Sequence, residues 1–195
     1  MPIIHKAGSA FSLPQVTEED LFVEERLNAS SLTHTLVRHP PFLENIESYA
    51  GGNLLETGVV VPAGSGKAAY ACREDLAEAH AVILSEPEHE NKAYSLYGDP
   101  GVSFADVAQI LTEISGKPVP FHAVSDQEYI AQLVAAGLPE PAADFVLAWI
   151  HGINAGEWDD KTGDLEKLLG RKPTKPTEFL QAHFAHQLNT PILKD

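Results

Sequence analysis

Apolar residues recur along this chain at two spacings, which predict helices interspersed with short strands. The clearest helix is predicted for SFADVAQILTEISG, because Ser103 provides an N-cap and Gly116 provides a stop. Other helices are predicted at about residues 17–28, 42–50, 74–84, 125–137, 140–151 and 177–188. Short strands are predicted at residues 2–5, 31–38, 58–63, 68–72, 92–98 and 117–124.

One glycine-containing stretch, residues 64–67 (GSGK), bears on whether the chain carries its own dinucleotide site. With Ala69 it fits G-x-G-x-x-A after a Val-rich run, but a phosphate-binding turn needs its helix to begin inside the motif. The next helix signal comes later and starts with Glu74 and Asp75, whose charges repel a pyrophosphate. The P-loop pattern fails as well, because two of its required residues are missing. We interpret the stretch as the bend of a β-hairpin.

The composition is that of an ordinary globular protein with a strong negative charge. The 195 residues suit one domain, or one domain with a small extra lobe, and 44% of them are hydrophobic. Acidic residues number 28 against 13 scattered basic ones, so neither nucleic acid nor a membrane is an expected partner. Cys72 is the single cysteine, which excludes an internal disulfide and predicts a cytoplasmic location.

Three arrangements suggest metal or nucleophilic chemistry, and each has a simpler structural interpretation. His183 and His186 lie one turn apart on the last predicted helix, but zinc needs further ligands and no carboxylate has a matching offset. The G-x-S-x-G motif of hydrolases does not occur. Cys72 adjoins Arg73 but lies in an apolar strand, which favours a buried structural thiol. We therefore predict no metal site and assign no catalytic residue.

Two other features are compatible with a ligand pocket. His39 is a loop imidazole beside two prolines at the end of a predicted strand, where α/β proteins place their ligands. Trp149 and Trp158 are predicted to belong to the core of a lobe, although such rings also suit the apolar wall of a pocket for a planar, quinone-like ligand.

Five segments occur in an order that is familiar from one enzyme family. They are FVEERLNASSLTHTLVRHPPFLENI, AGSGKAAYACREDLAEAHAVIL, HENKAYSLYGDPGVSFADVAQILTEISGKPVPF, YIAQLVAAGLPEPAADFV and LEKLLGRKPTKPTEFL. In this order they resemble the C-terminal part of NmrA-like atypical short-chain dehydrogenase/reductases, and most of all the NAD(P)H:quinone oxidoreductase branch. The resemblance covers nearly the whole chain, from about Pro2 to Phe184.

The resemblance implies an α/β fold, with a partial Rossmann-like sheet and a small α/β substrate-binding lobe. The residual sheet is expected in residues 1–55 and the lobe in residues 56–195, packed as one unit. The family holds NADP or NAD with an N-terminal strand, a G-x-x-G-x-x-G turn and a helix, and no such motif occurs in this sequence. We therefore expect the chain alone to bind the cofactor weakly or not at all, and we assign no residue to cofactor binding.

The resemblance also implies a substrate site. The family's nicotinamide and substrate pocket is bordered by the positions that Arg38, His39, Pro41, Phe42 and Asn45 occupy here. Trp149 is added to these as a predicted pocket wall.

Three positions on the preceding helix bear on the chemistry of that site. Glu24 matches a family glutamate, whereas Asp20 stands where close relatives carry His and Glu25 where they carry Lys. Both changes are expected to remove a positive or titratable group near the reaction site.

Two functions remain open after this comparison. The chain is either the substrate-lobe portion of a quinone reductase-like, NAD(P)H-dependent oxidoreductase, or a non-catalytic small-molecule or protein-binding module derived from that family. A piece of a longer reductase would have the same sequence. The strand near Ile3 and Ile4, or the one near residues 32–37, is expected to leave an unpaired sheet edge, which predicts a homodimer or association with a nucleotide-binding half.

Overall fold

Helices and short strands alternate through the computed structural model, which describes residues 14–185 and residue 187. The helices are α1 (Pro14–Asn28), α2 (Ile46–Tyr49), α3 (Leu54–Thr57), α4 (Arg73–Ser85), α5 (Phe104–Ser115), α6 (Asp126–Ala135), α7 (Glu140–Ala155), α8 (Asp164–Leu169) and α9 (Pro176–His183). The strands are β1 (Leu36–Arg38), β2 (Val59–Pro62), β3 (Ala93–Ser95) and β4 (Phe121–Val124), and 3₁₀ turns cover Leu43–Asn45 and Pro87–His89. The strand predicted at residues 2–5 lies outside the described residues.

The strands form two parallel pairs. Strand β1 pairs with β3, from Leu36 opposite Ala93 to Arg38 opposite Ser95. Strand β2 pairs with β4, from Val59 opposite Phe121 to Pro62 opposite Val124. Parallel strands need crossover connections, and in both pairs the chain between the two strands contains helices. The predicted α/β fold class is confirmed, while the division of the chain at residue 55 stays a prediction.

Two hydrophobic cores hold these elements together. A small core packs β1 and β3 against α4 and α8, and its buried members are Val37, Ala71, Leu76, Ala79, Ile83, Leu96, Leu165 and Leu168. A large core surrounds β2 and β4, and its members with no exposed surface include Ile46, Leu54, Val59, Val61, Tyr70, Val107, Leu111, Ile150, Ile153, Trp158 and Phe184.

The best-defined helices begin and end as their sequences predict. Helix α5 has Ser103 as N-cap, in a reciprocal capping box with Asp106, and it ends at Gly116 with a φ of 67°. Helix α6 has the same kind of box between Ser125 and Glu128. Other elements differ in extent: β1 is only three residues long, the helix predicted at 42–50 is a 3₁₀ turn followed by α2, and α7 runs on to Ala155.

The β-hairpin predicted around residues 64–67 is wrong. Strand β2 pairs with β4, and beyond the GSGK stretch Ala68 forms an isolated antiparallel bridge with Val102. Gly64 and Gly66 lie against Asn154 at the end of α7, and a Cβ on Gly66 would overlap the Asn154 backbone carbonyl. The two glycines therefore allow a close approach of the chain to α7 rather than a ribbon reversal.

None of the helices in the described part of the chain is long and apolar enough to cross a membrane.

Candidate functional site

A partly buried ion pair lies at the carboxyl end of β1. Arg38, the last residue of that strand, donates from Nε and Nη2 to the two carboxylate oxygens of Glu24 on α1, at 2.8 and 2.9 Å. Glu24 is only 8% exposed, and its hydrogen bonds raise the pKa of Arg38. This bidentate contact fixes α1 against the end of the sheet.

Asp20 lies one helical turn before Glu24 and is also buried, with 8% of its surface exposed. Its Oδ2 atom is fully buried and has no hydrogen-bond partner among the residues that the structure describes. Burial, followed by the charges of Glu19 and Glu24, raises the pKa of Asp20 to about 6. Burial therefore leaves a titratable carboxyl at this position, while the expected loss of a positive group near the reaction site stays a prediction.

His39 and His80 form a second buried polar contact directly after β1. Their Nε2 atoms are 2.8 Å apart and their rings are perpendicular, so one ring donates a hydrogen to the other. Burial, together with the neighbouring His80, lowers the pKa of His39 to about 4. No role was predicted for His80, although its position on the apolar face of α4, beside Ala79 and Ile83, indicated an inward side chain.

The segment that follows His39 is anchored to α4. The carbonyl oxygen of Pro41 accepts a hydrogen bond from the Ala71 amide at 3.4 Å. The Arg73 guanidinium lies 4.9 Å from the centre of the Phe42 ring and donates to Asn45 Oδ1 at 3.0 Å. Residues 38–45 are thus held by side chains from α1 and α4, with Phe42 left partly exposed.

Trp149 occupies a different environment. Its ring stacks on Trp158 with centroids 4.9 Å apart, and the Phe145 ring meets it edge-on. The predicted core position of Trp149 and Trp158 is confirmed by their exposures of 8% and 0%. A substrate-binding role for Trp149, like those for the residues after β1, stays a prediction.

The residues singled out for metal or thiol chemistry have structural partners. His183 lies 2.8 Å from Glu47 Oε2 and stacks on Phe179, while His186 lies outside the described residues. Within the described residues, no group of three or more His, Cys, Asp or Glu side chains is arranged to hold a metal ion. Cys72 is 4% exposed and burial raises its pKa, in line with the structural interpretation.

Comparison with known proteins shows which proteins this chain is similar to. No family model matches the chain. Quinone oxidoreductase 2 of Escherichia coli is 35% identical over 188 residues, which span 96% of this chain and 63% of that protein. NAD(P)H azoreductase of Xenophilus azovorans is 27% identical over 163 residues, covering 83% of this chain and 57% of the azoreductase.

Solved structures give the same result. The NADPH-dependent quinone oxidoreductase of E. coli superposes with a TM-score of 0.79 at 33% identity, covering 87% of this chain and 62% of the other. Triphenylmethane reductase of Citrobacter sp. superposes with a TM-score of 0.80 at 31% identity, covering 91% and 63%.

The fold is therefore that of Rossmann-like, NAD(P)-binding reductases. Its homologues are NmrA-like and quinone-oxidoreductase-family proteins. The chain spans somewhat less than two thirds of the length of the relatives that it matches.

Proposed function

We propose that this chain supplies the substrate lobe, and the substrate-facing end of the sheet, of an NAD(P)H-dependent oxidoreductase of the quinone-reductase type. The observation that carries the proposal is the match to E. coli quinone oxidoreductase 2 along 96% of the chain. The buried polar groups after β1 support it, because ligands of open α/β sheets bind at the carboxyl ends of the strands.

We also propose that the chain alone does not hold the pyrophosphate of the cofactor. Residues 64–69 do not fit that group, since Gly64 and Gly66 are closed off by Asn154. The helix that follows begins only at Arg73 and carries Glu74 and Asp75 in its first turn. The carboxylate of Asp75 accepts from Arg171 and from the Thr174 amide, so the helix start is occupied by the chain itself.

In this proposal the residues after β1 bind and orient the substrate. The partly exposed Phe42 ring offers a planar, quinone-like molecule an apolar face. The guanidinium of Arg73 lies over the same ring and holds it in place. The guanidinium of Arg38, whose side chain is 32% exposed, offers hydrogen bonds to a carbonyl oxygen while Glu24 holds it in place. His39, Pro41 and Asn45 shape the segment, and Trp149 forms part of the lobe wall.

The cofactor part of the proposal is tested by titrating NADPH with the purified chain and following its fluorescence. We expect no saturation in the micromolar range, because the pyrophosphate has no cradle at residues 64–69. Micromolar binding by the chain alone would overturn this part.

The substrate part is tested by calorimetric titration with 1,4-naphthoquinone. We expect Phe42→Ala to weaken binding about fivefold, in line with the roughly 1 kcal/mol of a typical aromatic contact. Phe22→Ala is the matched control, since Phe22 is 56% exposed on α1 and should leave binding unchanged. Equal effects of the two substitutions would contradict the assignment of Phe42.

A non-catalytic binding module is the second candidate, favoured by the same closed glycine stretch. Assays of NADPH oxidation with quinones distinguish the two, using the chain alone and co-expressed with a nucleotide-binding half. Turnover in either assay excludes the second candidate. The proposed homodimer, or association with such a half, is checked by light scattering at high concentration, where a clean monomer would count against self-association.

A further inference from the structure

Tyr97 lies just after β3, at the end of the sheet where Arg38 ends β1. Arg38 is paired with Ser95 in the parallel register, and the amide of Leu96 donates to the Arg38 carbonyl at 2.9 Å. The Tyr97 amide then donates to the Ser95 carbonyl at 3.0 Å and closes a three-residue turn. Tyr97 and Arg38 therefore share the carboxyl end of the strands, where open α/β sheets bind their ligands.

The hydroxyl of Tyr97 is unpaired within the described part of the chain. Only 7% of the residue is exposed, and its oxygen has no hydrogen-bond partner among the described residues. It differs in one respect from the unpaired hydroxyl of Tyr70, which is fully cut off from solvent. Since most buried tyrosine hydroxyls are hydrogen-bonded, an unpaired hydroxyl that is still accessible is a candidate contact for a ligand.

The guanidinium of Arg38 lies within electrostatic reach of this phenol. Burial, followed by the charge of Asp160, raises the pKa of Tyr97, while the charge of Arg38 acts in the opposite direction. The phenol is therefore protonated at neutral pH and able to donate. Arg38 donates from Nε and Nη2 to Glu24, which leaves its Nη1 donors available on a side chain that is 32% exposed.

The charge balance beside Tyr97 favours a neutral oxygen over an anionic one. The bidentate contact with Glu24 neutralises Arg38, and Asp160 adds a negative charge that is close enough to raise the pKa of Tyr97. A carboxylate or phosphate would be repelled by Asp160. A carbonyl oxygen carries no charge and has two lone pairs, so it can accept from two donors at once.

We propose that the Tyr97 hydroxyl and the Arg38 guanidinium together bind one carbonyl oxygen of the substrate. The inference rests on the proposed reductase function and adds to its substrate site a residue for which no role was predicted. It also narrows the substrate to planar molecules that carry a carbonyl group, in preference to aromatic hydrocarbons and aromatic carboxylates.

Equilibrium dialysis of the purified chain tests this proposal with 1,4-naphthoquinone and with naphthalene, which has the same rings but no carbonyl group. Tyr97→Phe should weaken quinone binding about fivefold, as expected for the loss of one neutral hydrogen bond, and leave naphthalene binding unchanged. Tyr94→Phe is the matched control, because its hydroxyl is already held by His89 Nδ1 at 2.8 Å, and it should change neither. We expect 1-naphthoate, which is anionic, to bind more weakly than the quinone.

A second measurement follows the hydroxyl itself. The chain has five tyrosines, and carbon-13 labelling at Cζ gives one NMR signal for each, of which Tyr97→Phe removes one. If that variant is unstable, Phe substitutions at the other four tyrosines assign the Tyr97 signal by elimination. We expect this signal to move when the quinone is added and to stay in place with naphthalene, because Cζ carries the hydroxyl that would contact the carbonyl oxygen.

The outcomes distinguish this inference from the proposed function. No binding of the quinone by the unmodified chain would contradict both. Quinone binding that Phe42→Ala weakens and Tyr97→Phe leaves unchanged would contradict the inference alone. An equal loss of quinone and naphthalene binding in Tyr97→Phe, or a Tyr97 signal that the quinone does not move, would also show that this hydroxyl does not bind the carbonyl.

Discussion

The small core and the large core differ in the groups that are buried around them. Around the small core, Asp20, Glu24, His39 and Asp75 are each at most 8% exposed. In the large core the buried side chains are almost all apolar, and one of its polar groups, the Tyr129 hydroxyl, donates to the Tyr49 carbonyl at 2.5 Å. Buried ionisable groups reduce stability unless they are paired with an opposite charge, as Glu24 and Asp75 are, so Asp20 and His39 are expected to cost stability near the end of β1.

The largest effect expected from this difference is on the large core. Leu111 has no exposed surface in helix α5, and we expect Leu111→Ala to lower the free energy of unfolding by about 3–4 kcal/mol through lost burial and a residual cavity. Leu76→Ala, the same change in the small core, should cost about 2 kcal/mol because that core is smaller and better able to collapse. Urea denaturation of both variants measures the difference, and a larger loss for Leu76→Ala would reverse the ranking of the two cores.

The second prediction concerns His39, whose pKa is lowered to about 4 by burial and by His80. Between that pH and the ordinary value of 6.5, the unfolded chain binds more protons than the folded one, so stability is lost as the pH falls through this window. The loss should amount to about 2–3 kcal/mol. His39→Gln should remove this loss, as measured by unfolding at pH 7 and pH 4.5. An unchanged pH profile would mean that His39 is not buried as a neutral ring.

Asp20 should act in the opposite direction and slightly less strongly. Its pKa is raised from 3.8 to about 6, so the folded state binds the extra proton and stability falls as the pH rises through that range. We expect Asp20→Asn to gain about 2 kcal/mol at pH 7.5 and to change little at pH 3.5. Between pH 4 and 6 the stability changes caused by His39 and by Asp20 have opposite signs and partly cancel. Each change is therefore seen only when a single variant is compared with the unmodified chain. Asp144→Asn, a change at a residue of α7 that is more exposed than Asp20, is the matched control.

The sequence predicted the large-core region better than the end of β1, because its signals are local. The Ser103 cap, the Gly116 stop and the apolar stripe between them fall within one short segment, and all appear in α5. The His39–His80 contact joins residues 41 positions apart, and nothing in either segment alone specifies a partner.

The β-hairpin predicted for the GSGK stretch was wrong for a related reason. Its glycines were interpreted from local turn preferences, but they are required by Asn154, which donates to the Pro62 carbonyl from 92 positions away at 3.1 Å. Likewise, the pKa of Asp20 depends on burial by tertiary packing, which a comparison of residue types at one position does not contain. The assignment of the candidate site to residues 38–45 stays a prediction, and the burial of the charged groups around it could not be predicted from the sequence.

The smallest expected effect tests whether local capping or tertiary packing fixes the start of a helix. In α5, Ser103 accepts from the Asp106 amide at 3.1 Å, so Ser103→Ala should destabilise the chain by about 1 kcal/mol. Helix α4 has Cys72 at its N-cap with no side-chain capping bond, and its start is held instead by Glu44, which accepts from the Arg73 amide. Ser85→Ala at the exposed end of α4 is the control and should change stability by less than about 0.5 kcal/mol. A loss for Ser103→Ala no larger than that of the control would mean that tertiary packing, rather than the capping box, fixes the start of α5.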